Sequence, residues 1–170
     1  MAKVSRKREP SRIRRNIQDY GDPYASRNDH GDPAVCTGCH AVYHLKHWRF
    51  DEDRYRRYTR DAGVQTVTCP ACRKVADNYS EGAVVLSGEF FAAHREEIMN
   101  LISNEEERAK GVNPLERIVR LTEDGSVATV TTTNEKLAQR IGRALQKAYQ
   151  GAVTYRWSED TKYAHVKWVR

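Results

Sequence analysis

CTGCHAVYHLKHWRFDEDRYRRYTRDAGVQTVTCPAC, residues 36–72, opens and closes on a pair of cysteines two residues apart. That gap lets two sulfurs turn toward one ion from a single tight turn. Two such turns complete the tetrahedral four-cysteine shell that Zn2+ accepts. Gly38 lies inside the first turn and Pro70 inside the second. Cys36, Cys39, Cys69 and Cys72 are therefore read as ligands of one structural Zn2+, in preference to a redox pair, disulfides or an iron–sulfur cluster. A closed shell of four cysteines has no position for substrate water, so its expected role is scaffolding. Zinc removal is expected to unfold the small lobe around it, whose apolar content is slight.

Between the pairs, Asp51 is the expected cap of a helix with Glu52 and Asp53 in its first turn and Gly63 as its stop. Arg54, Arg56, Arg57 and Arg60 make that helix basic, with Asp51, Glu52, Asp53 and Asp61 available to pair with them. Val64–Thr68 reads as a short strand entering the second cysteine pair, and Arg73-Lys74 follows it. Lys46-His47-Trp48-Arg49-Phe50 interleaves charge with aromatic rings, which suits the backbone and bases of nucleic acid together. The same run also reads as Trp48 and Phe50 anchoring the lobe while Lys46 and Arg49 face water. His40, His44 and His47 have no nearby carboxylates at recognised ligand spacing, so surface or phosphate-contacting roles are expected in place of a second metal site. Helical geometry would put His44 and His47 on one face, and strand alternation would divide them.

Beyond residue 82 there are no further cysteines. Val84-Val85-Leu86 through Phe90-Phe91 reads as a strand interrupted at Ser87-Gly88, and Ala92 to about Lys110 as a helix closed by Gly111 and Pro114. Leu115–Thr122 and Ser126–Thr132 are β-rich runs around Asp124-Gly125, a hairpin signal. Thr132, three residues before Glu135, has capping-box spacing. In the helix that follows, Leu137, Ile141, Leu145 and Ala148 form an apolar stripe opposite Lys136, Arg140, Arg143 and Lys147. Residues 153–157 and 163–168 alternate as strands, expected to bury Val153, Tyr155, Trp157, Ala164, Val166 and Trp168 and to expose Arg156, His165 and Lys167.

The fold class expected is α+β: a four-cysteine zinc-ribbon-like lobe, then a ferredoxin-like β-α-β-β-α-β domain with an extra carboxyl-terminal strand. Residues 1–34 form a basic arm and extended segment, 35–82 the zinc lobe with its inserted basic helix, and 83–170 the α/β sandwich.

The balance of 29 Lys and Arg against 23 Asp and Glu gives a net charge of +6, and 20 of the 29 are arginine. Four thiolates and one Zn2+ lower this to about +4. Arginine's rigid fork of donors matches phosphate oxygens, so anionic partners are favoured. The arm is the most basic segment: Arg6, Lys7, Arg8, Arg12, Arg14 and Arg15 lie in residues 1–15 with one acidic residue among them. An arginine-rich segment of this kind can fold against structured RNA. The expected nucleic-acid contacts are these six with Lys46, His47, Arg49, Arg54, Arg56, Arg57, Arg60, Arg73 and Lys74.

The two pairs CTGC and CPAC, followed by VVLSGEFF and a β/α region ending TYRW…VKWVR, resemble bacterial relatives of the amino-terminal zinc-containing region of the archaeal and eukaryotic large-ribosomal-subunit nuclear-export adaptor. The likeness spans roughly residues 35–170, with the adaptor's multiple knuckles reduced to one set of four cysteines and its later domains and export signals absent. It implies association with the ribosome or with structured RNA, and an effect on ribosome stability.

No P-loop, dinucleotide fingerprint, HExxH or nucleophile elbow is present, so the chain is not expected to be an enzyme. The alternatives are a protein–protein adaptor, a zinc-ribbon DNA-binding regulator, and a metal-dependent nuclease built from His44 or His47 with Asp51, Glu52 or Asp53. No apolar run reaches the length of a membrane span and no signal peptide precedes the first cysteine, so a cytoplasmic protein without a membrane partner is expected. The sequence assigns no oligomeric state.

Overall fold

Short apolar runs on either side of the cysteine pairs are too brief for an independent sheet, and they combine. The computed structural model describes residues 22–24, 30–158 and 161–170. The arm residues Arg6 to Arg15 lie outside the described residues. Strands β1 (Ala34–Cys36), β2 (Val42–His44), β3 (His47–Arg49) and β4 (Gln65–Val67) form a sheet in the order β3-β2-β1-β4. The β1–β4 pair is parallel and the other two are antiparallel.

Helix α1 (Glu52–Tyr58) starts as expected, with the Asp51 carboxylate accepting from the Arg54 N–H at 2.9 Å. It stops earlier than Gly63. The Thr59 N–H and hydroxyl both donate to the Tyr55 carbonyl, and the Arg60 and Asp61 N–H groups tighten onto Arg57 and Tyr58 in three-residue bonds. Helix α2 (Pro70–Ala76) begins on the second cysteine pair, with Cys69 as cap and Pro70 in the first turn, where its missing N–H costs nothing.

The second sheet holds five strands: β5 (Gly82–Ser87), β6 (Ile118–Asp124), β7 (Val127–Thr132), β8 (Ala152–Trp157) and β9 (Ala164–Val169). Helices α3 (Glu89–Ala93), α4 (Arg95–Val112) and α5 (Glu135–Tyr149) complete the fold. Phe90 and Phe91 are helical, a correction to the strand reading. Gly88 ends β5 at φ 112°, where a Cβ would collide with the Arg170 carbonyl, and the Phe90 N–H then donates to that carbonyl at 2.9 Å. The cap of α5 is Asn134, which accepts from the Leu137 N–H at 3.0 Å. Thr132 is the last residue of β7, and its hydroxyl donates to the Asn134 carbonyl instead.

The strand order is β6-β7-β5-β9-β8. In a ferredoxin-like sandwich the strand after the second helix would lie beside the first strand. Here β9 takes that place, parallel to β5, and β8 is displaced to the edge. Burial explains the exchange. Ala164, Val166 and Trp168 of β9 are almost wholly buried, whereas Val153, Tyr155 and Trp157 of β8 are half-buried, as an edge position allows. The outward set Arg156, His165 and Lys167 is exposed.

Val84 and Leu86 from β5, Val130 from β7, Val166 and Trp168 from β9, Ile98 and Ile102 from α4, and Leu137, Ile141 and Leu145 from α5 form one core. Each large aliphatic chain there contributes roughly 2 kcal/mol by leaving water. Ala148, the last member of the expected α5 stripe, is exposed. A second, smaller cluster of Ala34, Tyr43, Trp48, Ala71 and two of the cysteines holds the first sheet, with Leu115 reaching it from the α/β region.

Lys74 joins the two clusters. Its ammonium group reaches Asp22 Oδ2 at 2.7 Å, Glu81 Oε1 at 2.9 Å and the Thr133 carbonyl at 3.0 Å, using all three donors. It is only 4% exposed. The reading of Lys74 as a phosphate contact is therefore corrected: it is an internal cation with its donors spent.

Candidate metal centre and basic cleft

The first cysteine pair sits where β1 turns toward β2. The Cys36 N–H donates to the Ala41 carbonyl at 2.8 Å and the His40 N–H to the Cys36 carbonyl at 3.0 Å, a tight turn that His40 closes at φ 65°. A Cβ on Gly38 would stand 3.1 Å from Cys72 Sγ, so the smallest residue lets the two turns approach. Parallel pairing sets Cys36 opposite Val67, which brings Cys69 alongside two residues later. Because Cys69 caps α2, its sulfur accepts from the Cys72 N–H at 3.4 Å, while the Cys69 N–H donates to Cys36 Sγ at 3.3 Å.

The four sulfurs lie within 4.8 Å of one another. Cys36 and Cys72 are separated by 3.8 Å and Cys39 and Cys69 by 3.7 Å. A tetrahedron with Zn–S arms of ~2.3 Å has edges of about 3.8 Å, whereas a disulfide requires about 2.05 Å. Geometry and donor chemistry fit one tetrahedral zinc ion. Hydrogen bonding with Cys39 and Cys69 pulls the Cys36 thiol down. The bond with Cys36 pushes Cys39 up to about 12, and bonds with Cys36 and Cys39 push Cys69 up as well. Cys39 and Cys69 thus retain protons that a divalent cation displaces.

Arg117, 45 residues from Cys72, donates from Nη1 to its sulfur at 3.4 Å. This charge-assisted contact offsets thiolate charge and ties the centre to the start of β6. Sequence reading missed Arg117, because only the tertiary fold brings it there.

Beside the centre, the β2–β3 hairpin turns through Leu45 and Lys46, both left-handed at φ 52° and 64°. Asp32 holds that turn, accepting from the Leu45 N–H at 3.1 Å, the Lys46 N–H at 3.2 Å and His44 Nδ1 at 3.2 Å. Partial burial pushes the Asp32 carboxyl up, but the Lys46 and Leu45 N–H groups and His44 outweigh it and hold the group below its ordinary range. The register pairs His44 with His47 and Val42 with Arg49, so these four share one hairpin face, while Tyr43 and Trp48 pack on the other.

That first face, with α1, lines an open cleft of about 380 Å3 bounded by Val42, His44, Leu45, His47, Arg49, Phe50, Asp51 and Arg54. Trp48 is buried as expected for an anchor, whereas Phe50 is 44% exposed and stands in the cleft wall. Asp51 is occupied by the α1 cap and by Arg54 Nε at 3.1 Å. Arg49 and His47 have no acidic partner among the described residues.

Of the expected nucleic-acid residues, the structure gathers His47, Arg49 and Arg54 in the cleft, with Lys46 exposed at the hairpin tip. The others on α1 point elsewhere. Arg56 pairs with Glu52 at 3.0 Å, Arg57 lies over the Tyr58 ring at 5.1 Å, and Arg60 is exposed past the helix end. Arg73 donates from Nη2 to the Tyr24 carbonyl at 2.6 Å and is half-buried there. His40 stacks on Tyr55 at 4.4 Å.

These features define a mixed α+β protein with, among the described residues, two sheets and a single structural zinc site made by four cysteines. No helix among the described residues is long and apolar enough to cross a membrane. No protein-family model, curated protein or solved structure matches the chain.

Proposed function

We propose that this chain is a non-enzymatic, zinc-stabilised accessory protein of the cytoplasm that binds ribosomal particles or other structured RNA. The observation that carries the reading is the cleft, where exposed Phe50 stands among Arg49, Arg54, His44 and His47. An aromatic wall offers a stacking surface for an unpaired base, and the cations around it suit the adjoining phosphates. The zinc centre fixes this geometry, since the hairpin bearing the cleft hangs from β1 and Cys36. The basic arm adds sequence-independent attraction. The resemblance to the zinc region of the nuclear-export adaptor belongs to the same proposal and favours the ribosome among structured RNAs.

The non-enzymatic part is supported by how the acidic groups near the histidines are used. Asp51 is held by the α1 cap and Arg54, and Asp32 by the hairpin turn. The test is sedimentation with ribosomal fractions followed by RNA crosslinking of zinc-loaded protein. Crosslinks in residues 44–54 support the reading. A defined protein partner without crosslinks would favour the adaptor, selective retention of a DNA operator the regulator, and metal-dependent cleavage abolished by His47→Ala and Asp51→Asn the nuclease.

A further inference from the structure

Helix α5 buries Leu137, Ile141 and Leu145 completely and turns Lys136, Arg140, Arg143 and Lys147 the other way. At 100° per residue these four cations fall within an arc of about 60°, centred about 130° around the helix from the middle of the buried stripe. Eleven residue steps separate the first from the last, or about 16 Å of helix axis. Lys136, Arg143 and Lys147 are exposed, and Arg140 is half-buried.

The stripe differs from most cations on the chain's other helices. On α1 and α4, Arg54, Arg56, Arg108 and Lys110 each meet a carboxylate three or four residues away. None of the four on α5 has an ion-pair partner among the described residues. Their spacings of four, three and four residues set like charges beside one another, an arrangement that opposes helix formation. Gln139, Ala144 and Gln146 flank the row, so an uncharged border replaces the expected acids.

We propose that Lys136, Arg140, Arg143 and Lys147 form a straight cationic rail that lies along one strand's phosphates in an RNA duplex. The class of partner rests on the RNA-binding reading above, while the surface is separate from the cleft. A duplex strand winds as it rises, so the straight rail meets about three of its phosphates in succession. Seated on the core, the helix is rigid and holds its charges in line, which suits a regular polyanion. The rail and its border contain no aromatic ring for stacking, so it reads backbone and not bases. A lipid surface does not fit, because the apolar face that would enter it is spent in the core.

The test is a salt series of binding to a 20-base-pair RNA duplex by the full zinc-loaded chain, followed by fluorescence anisotropy. The variant Lys136→Gln/Arg140→Gln/Arg143→Gln/Lys147→Gln keeps good helix formers at these positions, and its melting temperature checks folding. The expected result is at least a tenfold loss of affinity and a salt slope shallower by about 3. Lys136→Arg/Lys147→Arg should retain the wild-type slope. Unchanged affinity and slope in the glutamine variant, or no duplex binding by the wild type, would overturn the rail. Equal binding and equal loss with a DNA duplex would overturn its assignment to RNA. Arg49→Gln/Arg54→Gln is run in parallel on a single-stranded RNA and on the duplex. A loss confined to the rail variant, on the duplex, sustains the rail even if the cleft reading fails. A loss on the duplex confined to the cleft variant overturns the rail.

Discussion

Replacing Lys74 by methionine keeps most of the side-chain volume and removes the charge that joins the two clusters. Its ammonium group uses all three donors, on Asp22, Glu81 and the Thr133 carbonyl, at 2.7–3.0 Å. Breaking a buried ion pair from one side costs about 3–5 kcal/mol, because the remaining charge stays buried and unpaired. The Asp22 and Glu81 side chains are 28% and 18% exposed, and water reaches them in part, so the lower end, about 3 kcal/mol, is expected. Burial already raises the Glu81 carboxyl above its ordinary value, and the Lys74 contact opposes that rise. A raised carboxyl favours folding below the unfolded value, near pH 4, and loses that contribution as pH rises through the folded one. Without Lys74 the rise is larger, so the variant's deficit is greatest at neutral pH and shrinks in acid. Urea unfolding of zinc-loaded protein measures it. With a slope near 2 kcal/mol/M, the midpoint should fall by about 1–2 M. A change within about 0.5 kcal/mol, the usual effect of a surface substitution, would refute the reasoning. Loss of RNA affinity at unchanged stability would return Lys74 to the nucleic-acid surface.

Metal analysis of purified protein should give one zinc per chain, and Cys39→Ser should abolish stoichiometric binding; two disulfides in reduced-cytosol extracts would contradict this. Arg117→Met should weaken zinc retention against a chelator about tenfold, as loss of an outer-shell partner does, with the far-UV circular dichroism unchanged. Asp32 is held below its ordinary range, so its grip on Leu45 and Lys46 is present above pH ~4 and is lost as pH falls through the lower folded value. Amide exchange at those two residues should therefore quicken only in acid, and Asp32→Ala should quicken it at neutral pH. Gly88→Ala should cost more than about 2 kcal/mol in thermal unfolding, since both the φ of 112° and the Arg170 carbonyl exclude a Cβ.

The metal ligands were legible because two-residue gaps encode a local turn, and the α5 faces because a period of 3.6 residues survives over four turns. The helical start at Asp51 was legible for the same local reason. Contacts made across the fold were not. Arg117 reaches Cys72 over 45 residues, and Lys74 looks like any surface lysine until α2 packs against Glu81 and Thr133. Phe90 and Phe91 read as strand because their apolar character is blind to the backbone reversal at Gly88. The exchange of β8 and β9 depends on which of two similar alternating strands buries its face more fully, a difference that emerges only from packing. Phe50 and Trp48 have equal claims to the interior in sequence, and the hairpin register decides between them, pairing Trp48 with Tyr43.

The central claim, that the zinc-supported cleft binds RNA, is tested most directly by Phe50→Ala in equilibrium binding to a single-stranded RNA at fixed salt. The ring is exposed, so the substitution should leave folding and zinc content unchanged. Loss of one base-stacking contact of about 1–3 kcal/mol predicts roughly a five- to 150-fold fall in affinity with an unchanged salt slope, because no phosphate contact is removed. Wild-type affinity in the Phe50→Ala protein, with zinc fully bound, would contradict the account.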